Sequence, residues 1–109
     1  MTLPAPGQRV RGSTSGRPIM ALLDLLGRRW TLRVAWELRA GPLTFRALQE
    51  RSDGLSPSVL NARLGDLRTA GIVEQRVGEG YALTAEGERL LAALAPLQNW
   101  ATRWARRSG

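Results

Sequence analysis

The chain contains no cysteine, no histidine and no lysine. Without cysteine it can build no disulfide, no thiolate nucleophile and no zinc-thiolate site. Without histidine it also lacks the commonest general base and metal ligand near neutral pH. Nine carboxylates, a single tyrosine and ordinary hydroxyls remain, and the carboxylates are scattered rather than set in an acid/base or ligand cluster. The sequence therefore reads as that of a non-enzyme with no cofactor and no metal. Long apolar runs are missing as well. The longest, Ile19 to Leu26, is broken by Asp24 and falls far short of the roughly 20 residues of a membrane span. Arg9, Arg11 and Arg17 precede that run as in a secretory leader, but no small-residue cleavage site follows. The expectation is a cytoplasmic protein without a membrane partner.

All sixteen basic residues are arginine, against nine acidic ones, which leaves a net charge of +7 and a pI near 11.7. A preference for arginine codons accounts for the missing lysine but not for the surplus of charge. That surplus belongs to a protein that binds anions. The planar guanidinium fork matches phosphate oxygens and the edge of guanine, so nucleic acid is the fitting partner. With 109 residues, 43% of them hydrophobic, the chain can bury one core but not two.

Residues 1–16 hold Pro4, Pro6, Gly7, Gly12, Ser13, Ser15 and Gly16 with little apolar content, which reads as a flexible basic arm. It is equally a solvated leader or a segment that tracks phosphates. The folded domain is expected over 17–109. Pro18 suits a first helical turn, and Ile19, Leu22, Leu23 and Leu26 recur at helical spacing up to Gly27. A second helix carries Trp30, Val34 and Leu38 through Arg39 and ends at Gly41-Pro42. Thr44 caps a short third helix with Phe45 and Leu48 on its inner side, running to about Arg51. Turn chemistry follows in Ser52-Asp53-Gly54-Leu55. Ser56 then caps, with Pro57 at N1, a helix whose Leu60, Leu64 and Leu67 fall at i, i+4 and i+7 before Gly71. Two such helices joined by a tight turn make a helix-turn-helix. Ile72 to Val77 and Tyr81 to Leu83, joined by Gly78-Glu79-Gly80, form a short hairpin, or wing. Thr84 opens a last helix over 84–107 with a stripe of Leu90, Leu94, Leu97, Ala101 and Trp104 and with Trp100 beside it. Pro96 should kink or restart that helix.

The string Leu25-Leu26-Gly27-Arg28-Arg29-Trp30-Thr31, then Gly41-Pro42-Leu43-Thr44-Phe45-Arg46-Ala47-Leu48, resembles the HxlR-type family of winged helix-turn-helix regulators. Leu55 to Leu64, Leu67, Ala70-Gly71-Ile72-Val73-Glu74 and Leu83-Thr84-Ala85-Glu86-Gly87 continue that family's order and spacing, so the likeness spans roughly residues 17 to 101. It implies a mainly α fold with a small β-hairpin, a recognition helix at Ser56 to Thr69, and a DNA-binding homodimer held by its first and last helices. Many members carry a cysteine just before the proline that opens the first helix; here Arg17 stands there, so thiol-based redox sensing is not expected. The wing is also shorter than is usual in the family, which leaves it at most a phosphate contact through Arg76.

With Leu60, Leu64 and Leu67 turned inward, about 100° per residue places Ser58, Ala62, Gly65 and Thr69 on the opposite face, flanked by Asn61 and Arg68. Asn61 can pair an adenine edge, Ala62 can touch a thymine methyl, and Ser58 can bond either kind of base. Arg63 lies nearer the core side and is equally open to a DNA contact and to an ion pair with Asp66 or Glu50. Ser56, Thr44 and Arg46 are candidates for phosphate contacts at helix starts. Ile19, Leu23, Leu94, Leu97, Trp100, Ala101 and Trp104 are candidates for the dimer interface, shared with packing inside the subunit. Two alternatives stay open: a regulator that answers to a small aromatic effector held by Trp30, Trp36, Trp100 or Tyr81, and a winged helix that binds another protein.

Overall fold

The computed structural model describes residues 17–108; the basic arm expected over 1–16 lies outside the described residues. The chain runs α1 (Pro18–Leu26), α2 (Thr31–Glu37), α3 (Phe45–Arg51), α4 (Pro57–Thr69), β1 (Val73–Arg76), β2 (Gly80–Leu83) and α5 (Ala85–Ser108). This is the mainly helical winged helix-turn-helix that the sequence suggests. Among the described residues no helix is long and apolar enough to cross a membrane.

Local signals account for most of the boundaries. The Oγ1 of Thr44 accepts from the backbone N–H of Ala47 at 3.1 Å, and the Oγ of Ser56 from that of Val59 at 3.3 Å. Each cap satisfies one of the amides that a helix start leaves without a partner. The third cap is also a junction. Thr84 Oγ1 accepts from the N–H of Gly87 at 3.0 Å, donates to the Gly71 carbonyl at 2.6 Å, and so ties the start of α5 to the end of α4. Gly87 itself must be glycine, because a Cβ there would stand 2.2 Å from the Ile72 carbonyl oxygen.

Several details refine the expectation. The second helix begins one residue late and ends earlier, at Glu37, with Trp30 as its N-cap in a left-handed conformation, φ 74°. Gly27, the residue suited to positive φ, closes α1 with φ −74° instead. α5 runs through Pro96 as one helix and does not restart there; both Pro96 and Ala92 are exposed, so water can take the carbonyl that proline leaves without a donor. Finally, the first strand of the hairpin is shorter than 72–77 and the second begins one residue earlier than 81–83: Val73 pairs with Leu83 and Arg76 with Gly80, antiparallel, while Ile72 joins the core.

That core gathers Leu25, Val34, Ala35, Leu38, Leu48, Leu60, Leu64, Leu67, Ile72, Val73, Leu83 and Leu91. Every helix contributes, so the small sheet and five helices share one apolar centre. A fully buried leucine contributes roughly 2 kcal/mol from area removed from water. The three from α4 therefore hold that helix by one face and leave the other to solvent.

Candidate nucleic-acid interface

The turn between α3 and α4 sets the angle at which α4 is presented. Asp53 and Gly54 are both left-handed, with φ of 59° and 68°, which reverses the chain within a few residues. Gln49 Nε2 donates to the Leu55 carbonyl at 2.9 Å across that turn, and Leu55 packs against the core. Arg33 of α2 braces it from behind. Its guanidinium bonds Glu37 at 2.7 Å, the Arg51 carbonyl at 2.9 Å and Asp53 at 3.2 Å. The bond to Glu37 is the main reason its pKa lies above the ordinary arginine value.

α4 has the two faces its spacing predicts. Leu60, Leu64 and Leu67 are buried, whereas Ser56, Ser58, Asn61, Ala62, Gly65, Arg68 and Thr69 are exposed. The outward side is thus a strip of short side chains with an amide in it and one arginine near its end. A Cβ built on Gly65 would meet nothing within 4 Å, so no packing inside the subunit requires a glycine there. Thr44 and Arg46 are also exposed; Arg46 keeps 90% of its side-chain surface free and leans only loosely on Glu50, at 3.6 Å.

Two suggested residues are differently placed. Arg63 is paired with Asp66 at 3.4 Å, and its side chain is only 22% exposed. Asp66 also receives Arg28 at 3.5 Å, and Arg28 reaches Asp24 of α1 at 3.7 Å. The ion pair open to Arg63 is therefore the one with Asp66, as part of a chain from α1 to α4. Arg76 on the wing is held by Glu74 at 2.6 Å, and this bond raises its pKa above the ordinary value. The wing tip offers Val77, Gly78 and Glu79 to solvent, with no cation of its own.

Sequence reasoning missed two features. Leu43 exchanges both backbone hydrogen bonds with Tyr81, at 2.9 and 2.8 Å, so the hairpin gains a one-residue third strand. A single bridge has no period to detect. Arg29 was also passed over, although it stands beside Ser58, Val59, Ala62 and Arg63 around a cleft next to α4. The doubled Arg28-Arg29 was the available signal, but only the tertiary structure brings it to α4.

The candidates for the subunit interface are mostly open in the single chain. Ile19 and Leu23 on α1, and Leu97, Trp100 and Trp104 on α5, are each more than half exposed. Trp100 and Trp104 stack with ring centres 5.9 Å apart. Leu94 packs partly on the core, while the described side chains beyond it, from Ala95 to Arg107 and including Ala101, are exposed. An apolar groove of about 440 Å³ runs between α2 and α5, lined by Leu32, Trp36, Leu91, Leu94 and Leu97. Of the four aromatic residues suggested for an effector, only Trp36 lines it. Trp30 faces the cleft beside α4, Tyr81 packs near Phe45, and Trp100 stacks on its neighbour.

Comparison with known proteins agrees with this geometry. The HxlR-like helix-turn-helix family matches residues 25–109. YvaP of Bacillus subtilis (strain 168), an uncharacterized HTH-type transcriptional regulator, is 32% identical over 88 residues, covering 75% of this chain and 82% of YvaP. The HTH-type transcriptional regulator YodB of the same organism is 30% identical over 99 residues, covering 85% of this chain and 88% of YodB. The crystal structure of quinone-bound YodB is similar with a TM-score of 0.72 at 32% identity, covering 78% of this chain and 96% of that one. A possible HxlR family transcriptional factor from Thermoplasma volcanium GSS1 gives 0.71 at 31% identity, covering 83% of this chain and 86% of that one.

Proposed function

The chain belongs to the HxlR-like helix-turn-helix family, and on that footing we propose that it regulates transcription as a homodimer that reads duplex DNA by sequence. α4 enters the major groove with Ser58, Asn61, Ala62 and Gly65 toward the bases, and Arg68 flanks them. Thr44, Arg46 and Ser56 take backbone phosphates, which fix register without reading sequence. Arg63 and Arg76, each bound to a carboxylate, serve the fold first and reach DNA only by leaving that partner. The observation that carries this reading is the exposed strip of small polar residues on α4, backed by three buried leucines.

The second copy is held by the exposed apolar residues of α1 and α5. Two-fold symmetry then predicts a pseudo-palindromic site with half-sites about one helical turn apart. With no cysteine in the chain, sensing through a thiol has no part in the proposal. Fluorescence anisotropy with labelled duplexes, over a range of salt, tests it. If about six to ten phosphates are neutralised per dimer, affinity falls on the order of 10³-fold or more between roughly 50 and 200 mM salt. A flat salt response, or no binding to any duplex, removes the reading.

The groove between α2 and α5 favours one second reading, a response to a small aromatic effector, since a similar regulator has been crystallised with quinone bound. The groove is apolar and large enough for a single ring system. A panel of aromatic compounds in thermal shift tests it: a binder raises the melting temperature of the native chain, and Trp36→Ala abolishes that rise.

A further inference from the structure

Arg29 and Trp30 sit between α1 and α2, outside the helix-turn-helix pair. With Ser58, Val59, Ala62 and Arg63 they line a cleft of about 420 Å³ along one flank of α4. None of the residues lining it is acidic. Arg29 is exposed, and among the described residues no carboxylate pairs with it. Its guanidinium lies instead 5.4 Å from the centre of the Trp30 ring, an arrangement that restrains a cation without neutralising it. Trp30 holds φ 74°, a conformation that is strained for a bulky L residue and is retained where its surroundings impose it. Arg63 also lines the cleft, but its charge is met by Asp66, so the cation that the cleft offers is that of Arg29.

A restrained guanidinium without a carboxylate partner, a serine hydroxyl and no acidic lining residue suit an oxyanion. Ser58 and Ala62 belong both to this cleft and to the outward face of α4, so whatever the helix docks against runs past Arg29. The cleft opens to solvent and does not enclose a small free ion. We infer that the cleft beside Arg29 and Trp30 holds, through Arg29, a backbone phosphate of the strand bordering the groove that α4 enters. This rests on the DNA-binding reading above and adds an anchor from outside the helix-turn-helix.

The experiment compares the full-length chain with Arg29→Ala and Arg29→Lys on two duplexes, one selected from random DNA for tight binding and one of unrelated sequence, between about 50 and 200 mM salt. Because Arg29 is exposed, both variants melt with the parent. Arg29→Ala weakens both duplexes by the same factor, about fivefold or more at low salt, and lowers the slope of log affinity against log salt by about one per protomer. Arg29→Lys keeps the slope and part of the affinity. Unchanged affinity and slope in Arg29→Ala overturn the inference. So does a loss confined to the selected duplex at constant slope, which puts Arg29 on a base edge. Inorganic phosphate at constant ionic strength supplies the last arm: if it stabilises the parent but not Arg29→Ala while DNA binding is unimpaired, the cleft is a free-anion site and the inference is wrong. A parent chain that ignores every duplex ends both readings, whereas a binding parent with a silent Arg29→Ala ends only this one.

Discussion

Gly65 shows how stability and function can be separated at one residue. It lies inside α4, where glycine costs about 0.5–1 kcal/mol relative to alanine, yet space around its missing Cβ is open. The fold gains nothing from glycine there, but a groove-facing helix gains close approach. Gly65→Leu should therefore raise the melting temperature while weakening DNA binding at least tenfold, read by thermal melting and by anisotropy. A variant that is more stable and binds as tightly as the parent would move the DNA contact off this face. Gly87 marks the contrast, because its absent Cβ is required by the Ile72 backbone. The two glycines look alike in the sequence and differ only in what stands beside them.

Between elements, the ion pairs from Asp24 through Arg28 and Asp66 to Arg63 join α1, the following turn and α4. Asp66 is the hub, and its side chain is only 16% exposed. Removing its charge leaves two arginines facing each other in a half-buried place. A fully buried pair broken this way costs about 3–5 kcal/mol, and partial exposure reduces that to about 1–2 kcal/mol. Asp66→Asn should lower the melting temperature by roughly 5–15 °C for a domain of this size. An unchanged melting curve would show that the leucine face alone holds α4. The same network explains why Arg63 could not be assigned from spacing: its angle on the helix leaves both roles open, and only the position of Asp66 beside Arg28 decides which partner is within reach.

For the whole molecule, the question is what covers α5. Its described side chains beyond Leu94 are exposed, three large apolar ones among them, and a contiguous apolar surface of this kind marks an interface. If the proposed homodimer forms through this surface, Trp100→Ala together with Trp104→Ala should shift the chain from dimer to monomer in sedimentation and cut DNA affinity sharply, because two half-sites would no longer be bound together. The subunit core ends at Leu91 and its partly buried neighbours, so the subunit itself should stay folded. A dimer that survives the double substitution would place the interface elsewhere.

Much of this protein follows from order along the chain. Caps at Thr44, Ser56 and Thr84, the Leu60, Leu64 and Leu67 repeat, and the glycines of the wing are local signals that depend on near neighbours, so the element types and the two faces of α4 could be read directly. The lack of cysteine and the surplus of arginine likewise bound the chemistry before any folding. Arg63 and Arg76 meet carboxylates two or three residues away, within reach of local spacing, whereas tertiary structure alone decided that Arg28 meets Asp66 and that Arg29 is carried to the flank of α4 with no carboxylate paired to it among the described residues. The meeting of Arg28 with Asp66 and the approach of Arg29 to α4 depend on distances of a few ångströms between segments remote in sequence, and no periodicity encodes those distances.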